Sequence, residues 1–287
     1  MKKRNDSKIT MAALMMMAAM AMTSCASSKK INGDSNASKD SEMGKNEEDL
    51  DNSYLVLSDT QQDIVKKNNA FALRLFNKVT DMESKVISPM SVSYLMGMLA
   101  NGADGITQQE ILKAIGCEGV SVSDLNELYK AMLLNANHQD KQTTVNIANY
   151  IAVNKNFKLN KDFCQKVSDS YLAGIESLDF TSSKSTDRIN GWCKEKTNGM
   201  IPRIIDQVSA DAVSYLMNAI YFKGTWQNKF NAKDTKLENF RGYTRNIQKV
   251  EMMHQVKKLF YAENKDFKAL DLPYGNGSYR MLVLLPK

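Results

Sequence analysis

Hydrophobic residues return every three to four positions in the first half of the folded region, which predicts helices there. From Ile64 to Val79, Val65, Ala72, Leu73, Leu75 and Phe76 fall mostly on one face, with Phe71 beside them. Ser88–Pro89 reads as a helix start, serine at the N-cap and proline at the first helical position. Val92, Tyr94, Leu95, Met98 and Leu99 continue that helix until Asn101–Gly102 stops it. Thr107 and Glu110 have the spacing of a capping box and predict a short helix through Ile115, with Gly116 at its end. Leu125, Leu128, Met132 and Leu133 place another helix over Ser123–Asn135.

The period then changes. Thr144–Val153 is β-branched and aromatic without a breaker and predicts a strand. Helices are expected over Lys161–Leu172, with Gly174 just past the end, and over Ser185–Lys196, closed by Asn198–Gly199. Ile175–Phe180 is a short strand candidate between them. Val213–Phe222 is a nearly continuous apolar run and reads as an interior strand covered on both faces. Beyond Gly224, Leu259–Ala262, Lys268–Leu272 and Tyr279–Leu285 are strand candidates, the last two joined by a turn at Gly275–Gly277. Helices first, then a mixture, then mostly strands make an α+β layout, and no repeat of fixed period is present.

The N-terminus follows different rules. Lys2, Lys3 and Arg4 precede an apolar stretch from Ile9 to Met22 that is short for a membrane span, which needs about 20 residues. The pattern fits a signal peptide over residues 1–24. Thr23, Ser24 and Cys25 then resemble the cleavage box of a bacterial lipoprotein, with Met22 where leucine is usual. That resemblance makes Cys25 the lipidated first mature residue, against the plainer reading of a soluble secreted chain. Residues 25–56 are polar and read as a flexible tether.

Charge excludes one class. Of 38 Lys and Arg against 32 Asp and Glu, four bases and one acid lie in the first 24 residues, so 34 against 31 leaves +3 for the remainder. Such a balance does not predict a nucleic-acid binder. Cys117, Cys164 and Cys193 are 47 and 29 residues apart with no C-x-x-C, and read as small buried hydrophobes, a single disulfide remaining open. No nucleotide-binding, zinc-protease or nucleophile-elbow motif occurs, and neither His138 nor His254 sits in a nucleophile–base motif. No metal or cofactor is implied. Polar residues in apolar surroundings carry more: Asn218 lies inside the Val213–Phe222 run, and Ser88 and Ser91 open an apolar helix. The plain reading is a cap and a locally bonded amide; the alternative is a buried hydrogen-bond cluster.

From Asn69 to Lys287 a series of segments resembles the serpin family in order. These are Asn69–Phe76, Ile87–Thr107, Ile189–Ile201, Asn218–Phe230 as the most specific, Val250–Met253, and Leu272–Pro286. The resemblance implies helices packed on a large mixed β-sheet, with a second strand-rich sheet. It implies an inhibitor of serine or cysteine proteases, not an enzyme, whose cleaved reactive loop enters the sheet as a new strand and drags the protease along. Ser88, Ser91 and Asn218 then correspond to the shutter over which the central strands part, and Trp226 to the breach where insertion begins. Residues 57–287 form a partial serpin domain on this view. The next strand of the main sheet, the shutter histidine, the hinge and the reactive loop are expected to lie outside a chain ending at Lys287, so no reactive-centre residue is named. The helix matching the family's glycosaminoglycan site has Lys130 as its only base, so no such cofactor is expected. Location is expected to be an exported lipoprotein of the bacterial cell envelope, held on the membrane by Cys25. A non-inhibitory serpin-like lipoprotein that binds or supports, and an unrelated hydrolase, are the competing readings.

Overall fold

Capping side chains set where the helices begin. The computed structural model describes residues 55–81, 83–242 and 246–287; the signal peptide, Cys25 and nearly all of the tether lie outside them. Helix α1 spans Asp59–Val79 and starts five residues before the predicted Ile64. Ser58 Oγ accepts from Gln61 N while Gln61 Oε1 accepts from Ser58 N, a reciprocal box that satisfies two otherwise orphaned donors. Ile64, Val65 and Phe71 form its buried face; Leu73, expected inside, is 54% exposed. Helix α2 (Pro89–Asn101) is capped by Ser88, as predicted. Helix α3 (Gly105–Ala114) corrects the expected box at Thr107: Asp104 is the cap, its carboxylate accepting from Gly105 N at 2.7 Å, and Thr107 lies inside the first turn. Helix α4 (Val122–Asn135) is capped by Ser121, and α5 (Lys161–Tyr171) by Asn160. Leu172, not a glycine, takes the left-handed C-cap conformation of α5 at φ 50°, and Gly174 opens the next strand. Between α2, α4 and α5 the rings of Tyr94, Tyr129 and Tyr171 pack together with centroids 4.9–6.5 Å apart.

The main sheet has strand order β2-β1-β3, with β1 at Thr143–Asn154, β2 at Gly174–Leu178 and β3 at Ser214–Gly224. β1 runs parallel to β2 and antiparallel to β3, so the sheet is mixed. The interior strand is therefore β1, whose last six residues are all buried. The Val213–Phe222 run, read as a strand covered on both faces, forms β3, which is half-buried at most positions and pairs with β1 among the described residues. Its apolar length reflects packing of α2 on one face and α6 on the other.

Helix α6 (Ser183–Lys196) lies across this sheet. Ile189, Trp192 and Cys193 bury with Tyr150 and Ala152 of β1 and Met217 and Ala219 of β3, and Trp192 stacks on Tyr150 at 5.1 Å. Arg188 forms a fork with Glu176 of β2, Nε to Oε1 at 3.1 Å and a second nitrogen to Oε2 at 2.8 Å, and its guanidinium lies over the Tyr150 ring. Tyr150 OH completes the group by donating to Glu176. Partial burial raises the Glu176 pKa, but the bonds from Arg188 and Tyr150 outweigh it and hold the carboxyl below its usual range.

The C-terminal part is strand-rich, as expected, but contains one hairpin the hydrophobic pattern did not reveal. Strands β4 (Lys236–Arg241) and β5 (Ile247–Met252) pair as a two-stranded antiparallel ribbon. Leu237, Phe240 and Ile247 are exposed and only Glu238, Val250 and Met252 are half-buried, so the core-facing pattern is too short to read. Strands β6 (Phe260–Glu263), β7 (Phe267–Tyr274) and β8 (Tyr279–Pro286) form a second sheet, and the Gly275–Gly277 turn joins β7 to β8 as predicted.

Candidate functional site

At the start of α2, Ser88 Oγ accepts from Ser91 N and lies 2.8 Å from Ser91 Oγ. Helix α2 packs on β3, where Asn218 stands opposite Asn149 of β1. Asn218 Nδ2 donates to Asn149 Oδ1 at 2.8 Å and weakly to the Ala148 carbonyl at 3.4 Å. Asn149 Nδ2 donates in turn to the Tyr171 carbonyl at 2.7 Å, where α5 ends. Two side-chain amides thus link β3, β1 and α5 beneath the apolar surface of the sheet. No hydrogen bond joins Ser88 or Ser91 to Asn218, so the three residues singled out in the sequence form two separate pieces. Asn218 Oδ1 is buried and has no partner among the described residues, an acceptor left open in the middle of β3.

Asn149 is the member that the sequence reading missed. It is 3% exposed and sits at the centre of the Thr144–Val153 run. The signal that marked Asn218, an amide inside a β-branched stretch, was present there as well.

Trp226 lies just past β3. Its indole stacks on Tyr274 with centroids 4.3 Å apart and 13° between planes, and its backbone bridges the same residue. Gly275 N donates to the Thr225 carbonyl at 2.8 Å and Gln227 N to the Pro273 carbonyl at 3.0 Å. The end of the main sheet is therefore joined to the β7–β8 hairpin. Glycine is required at 224 by closeness alone: a Cβ there would stand 2.7 Å from the Tyr274 ring. Gly275 has φ +44° with the Asp140 carboxylate packed against it, so both space and backbone exclude a side chain. Asn276 and Ser278 both donate to the Gln139 carbonyl, which fixes the hairpin to the loop entering β1.

The remaining candidate groups do not converge on a reaction centre. Cys117, Cys164 and Cys193 are all free thiols. Burial pushes the Cys117 thiol up to about 11 and raises Cys193 as well, which suits inert core positions. His254 pairs with Glu238 at 2.9 Å on the exposed ribbon. Among the described residues there is no group of three or more His, Cys, Asp or Glu able to hold a metal ion, and no helix is long and apolar enough to cross a membrane.

Helices packed on a mixed sheet, with α6 strapped across it and a second sheet joined at its end, define the architecture of the serpin class. The thermophilic serpin tengpin in its latent state superimposes with a TM-score of 0.73 at 31% identity, over 81% of this chain and 62% of that one. A loop C-sheet serpin polymer gives 0.71 at 28% identity, over 89% of this chain and 63% of the other. The family model described as "Serpin (serine protease inhibitor)" matches residues 66–287, and the chain belongs to that family. Among named relatives, the leukocyte elastase inhibitor of Bos taurus is 33% identical over 228 residues, covering 76% of this chain and 60% of that protein. Serine protease inhibitor 42Dd of Drosophila melanogaster is 30% identical over 219 residues, covering 75% and 59%. The chain thus spans about three fifths of the length of the curated relatives it matches.

Proposed function

We propose that this serpin acts as an inhibitor of serine endopeptidases, with cysteine endopeptidases as a second target class, by accepting a cleaved reactive loop into its main sheet. What supports the reading is the match of residues 66–287 to the serpin family model, together with a mixed main sheet whose β3 carries the buried amide Asn218. A strand added to such a sheet satisfies a row of backbone groups, and such augmentation is a strong, non-specific source of affinity. The chemistry belongs to the protease. Its serine attacks the loop, the scissile peptide bond breaks and an ester to the loop forms. Insertion then carries the acyl-enzyme away before water hydrolyses the ester. Ser88, Ser91 and Asn218 serve as the shutter and Trp226 as the breach, on the strength of the family resemblance and their positions on α2, β3 and the sheet-to-hairpin junction. The relatives' names as serine protease inhibitors support the target class.

We further propose that the protein is lipidated at Cys25 and held at the bacterial cell envelope by the tether of residues 25–56. Incubation of the full-length gene product with elastase-type and trypsin-type proteases should give a covalent complex that survives SDS. Cleavage of the serpin without any such complex would overturn the inhibitory reading. Metabolic labelling with palmitate, abolished by Cys25→Ala, tests the anchor separately.

A further inference from the structure

Glycine weakens the interior of a helix relative to alanine, yet Gly97 stands in the interior of α2. The reason is a hydroxyl. A Cβ at 97 would collide with the Tyr171 hydroxyl and stand 3.0 Å from the ring carbon that bears it. Glycine thus lets the tip of a fully buried tyrosine from α5 pass beneath α2. Packing alone does not account for that hydroxyl, since phenylalanine fills the same space without the close approach at Gly97.

What the hydroxyl reaches is α4. Tyr171 OH donates to Asn126 Oδ1 at 2.8 Å. Asn126 is paired reciprocally with Asn101, the last residue of α2: Asn101 Nδ2 donates to Asn126 Oδ1 at 2.9 Å, and Asn126 Nδ2 to Asn101 Oδ1 at 2.8 Å. Asn101 Nδ2 also donates to the Gly97 carbonyl at 2.8 Å, which fixes its amide plane. The backbone end of Tyr171 is held as well, since its carbonyl accepts from Asn149 Nδ2 at 2.7 Å. Leu172, the next residue, stands in the left-handed region at φ 50°, a conformation that leucine adopts at a cost. One residue is therefore fastened at both ends, its hydroxyl to α4 and its carbonyl to β1. An unbroken series of side-chain bonds runs through Asn101, Asn126, Tyr171, Asn149 and Asn218, from the end of α2 to the middle of β3.

We propose that Asn126 is a positioning residue for strand acceptance: joined to Asn101 and Tyr171, it bolts α2 to the Asn149–Asn218 pair of the sheet, and the sheet widens only after the bolt breaks. The proposal deepens the inhibitor reading above and rests on it. Helix α2 packs on α1 and α3 as well as on β3, while α5 packs on β2. Sideways movement of the sheet therefore displaces it relative to α2. A displacement of about 1 Å takes bonds of 2.7–2.9 Å past hydrogen-bonding range. Asn126 itself lies on α4, away from the strands, and acts through Tyr171.

The test uses the full-length gene product and the variants Tyr171→Phe and Asn101→Ala, which cut the series on either side of Asn126, with circular dichroism confirming that each is folded. Backbone amide exchange, read by mass spectrometry on peptides from β1 and β3, needs no protease. Each variant should raise exchange there about fivefold, the factor that one net hydrogen bond supplies, with β7 and β8 unchanged. Because the two bonds lie in series, the double variant should exchange no faster than the faster single one. With the protease that forms the covalent complex in saturating excess, the rate of complex formation should rise by a similar factor. Unchanged exchange in β1 and β3, or effects that multiply in the double variant, would overturn the proposal. So would an equal rise in β7 and β8, which reports global unfolding, or a rate of complex formation that stays at the parent value. If neither the parent nor any variant forms a covalent complex, the inhibitor reading falls, and the exchange result still decides whether the bolt holds the sheet.

Discussion

Replacing Asn149 by alanine should destabilise the protein more than replacing Asn218, although Asn218 is the residue that resemblance singles out. Asn149→Ala removes the donor to the Tyr171 carbonyl and the 2.8 Å acceptor of Asn218 Nδ2, which keeps only its 3.4 Å contact with Ala148. A buried group stripped of its partner costs about 1–3 kcal/mol. Two such losses at a position 3% exposed predict a destabilisation of about 2–4 kcal/mol. Asn218→Ala strands Asn149 Oδ1 but also deletes the Asn218 Oδ1 that already lacks a partner. The two effects oppose each other, and a net cost of about 0–1 kcal/mol follows. The double variant should then cost less than the sum of the two single ones, with a coupling of about 1 kcal/mol. The assay is urea unfolding at submicromolar protein, followed through Trp192, which is 5% exposed and stacked on Tyr150 beside this pair. An Asn218→Ala loss equal to or larger than that of Asn149→Ala, at unchanged denaturant slope, would refute the amide relay as drawn.

Thiol labelling offers a second check: in the native state Cys164 should react with an alkylating agent at pH 8 at least tenfold faster than Cys117 or Cys193, both buried with raised pKa values. Equal rates would show that the core around α6 or α3 opens readily. Asp179 is held down to about 2 by its bonds from Lys155 and Thr181, below its usual value of 3.8. A depressed folded-state pKa contributes stability above the unfolded value, and that contribution declines as pH falls from about 4 towards 2. The difference in urea midpoint between the parent and Asp179→Asn should therefore shrink over that interval, and a constant difference would argue against the assignment.

Much of the fold was legible because capping and periodicity are local. Ser88–Pro89, the Thr144–Val153 strand and the Gly275–Gly277 turn each declare themselves within a few residues, and the structure places all three as read. Errors arose where tertiary surroundings decide. Two plausible caps compete before α3, and Asp104 wins over Thr107 because its carboxylate reaches the first free N–H. The β4–β5 ribbon is mostly exposed, and its burial pattern is confined to Glu238, Val250 and Met252, too few positions to show as a period. The apolar run at Val213–Phe222, by contrast, was legible as a strand covered on both faces, and α2 and α6 cover it. For the site, the sequence marked Asn218 and Trp226 but not their immediate partners Asn149 and Tyr274, because pairing across strands depends on register, which composition does not contain.

The fastening of α6 has a mechanical consequence. Its side chains form hydrogen bonds and an ion pair with the β1–β2 side, through Arg188 to Glu176 and Ser185 to the Asp179 carbonyl, whereas along its length it meets β3 through Met217 and Ala219 packed under Ile189 and Trp192, with one bond at its exit from Asn198 to Tyr221 OH. Directional bonds resist sliding and smooth aliphatic contacts do not. If the sheet widens beside β3, α6 would turn about its bonded side like a flap on a hinge, leaving its footing on β1 and β2 intact.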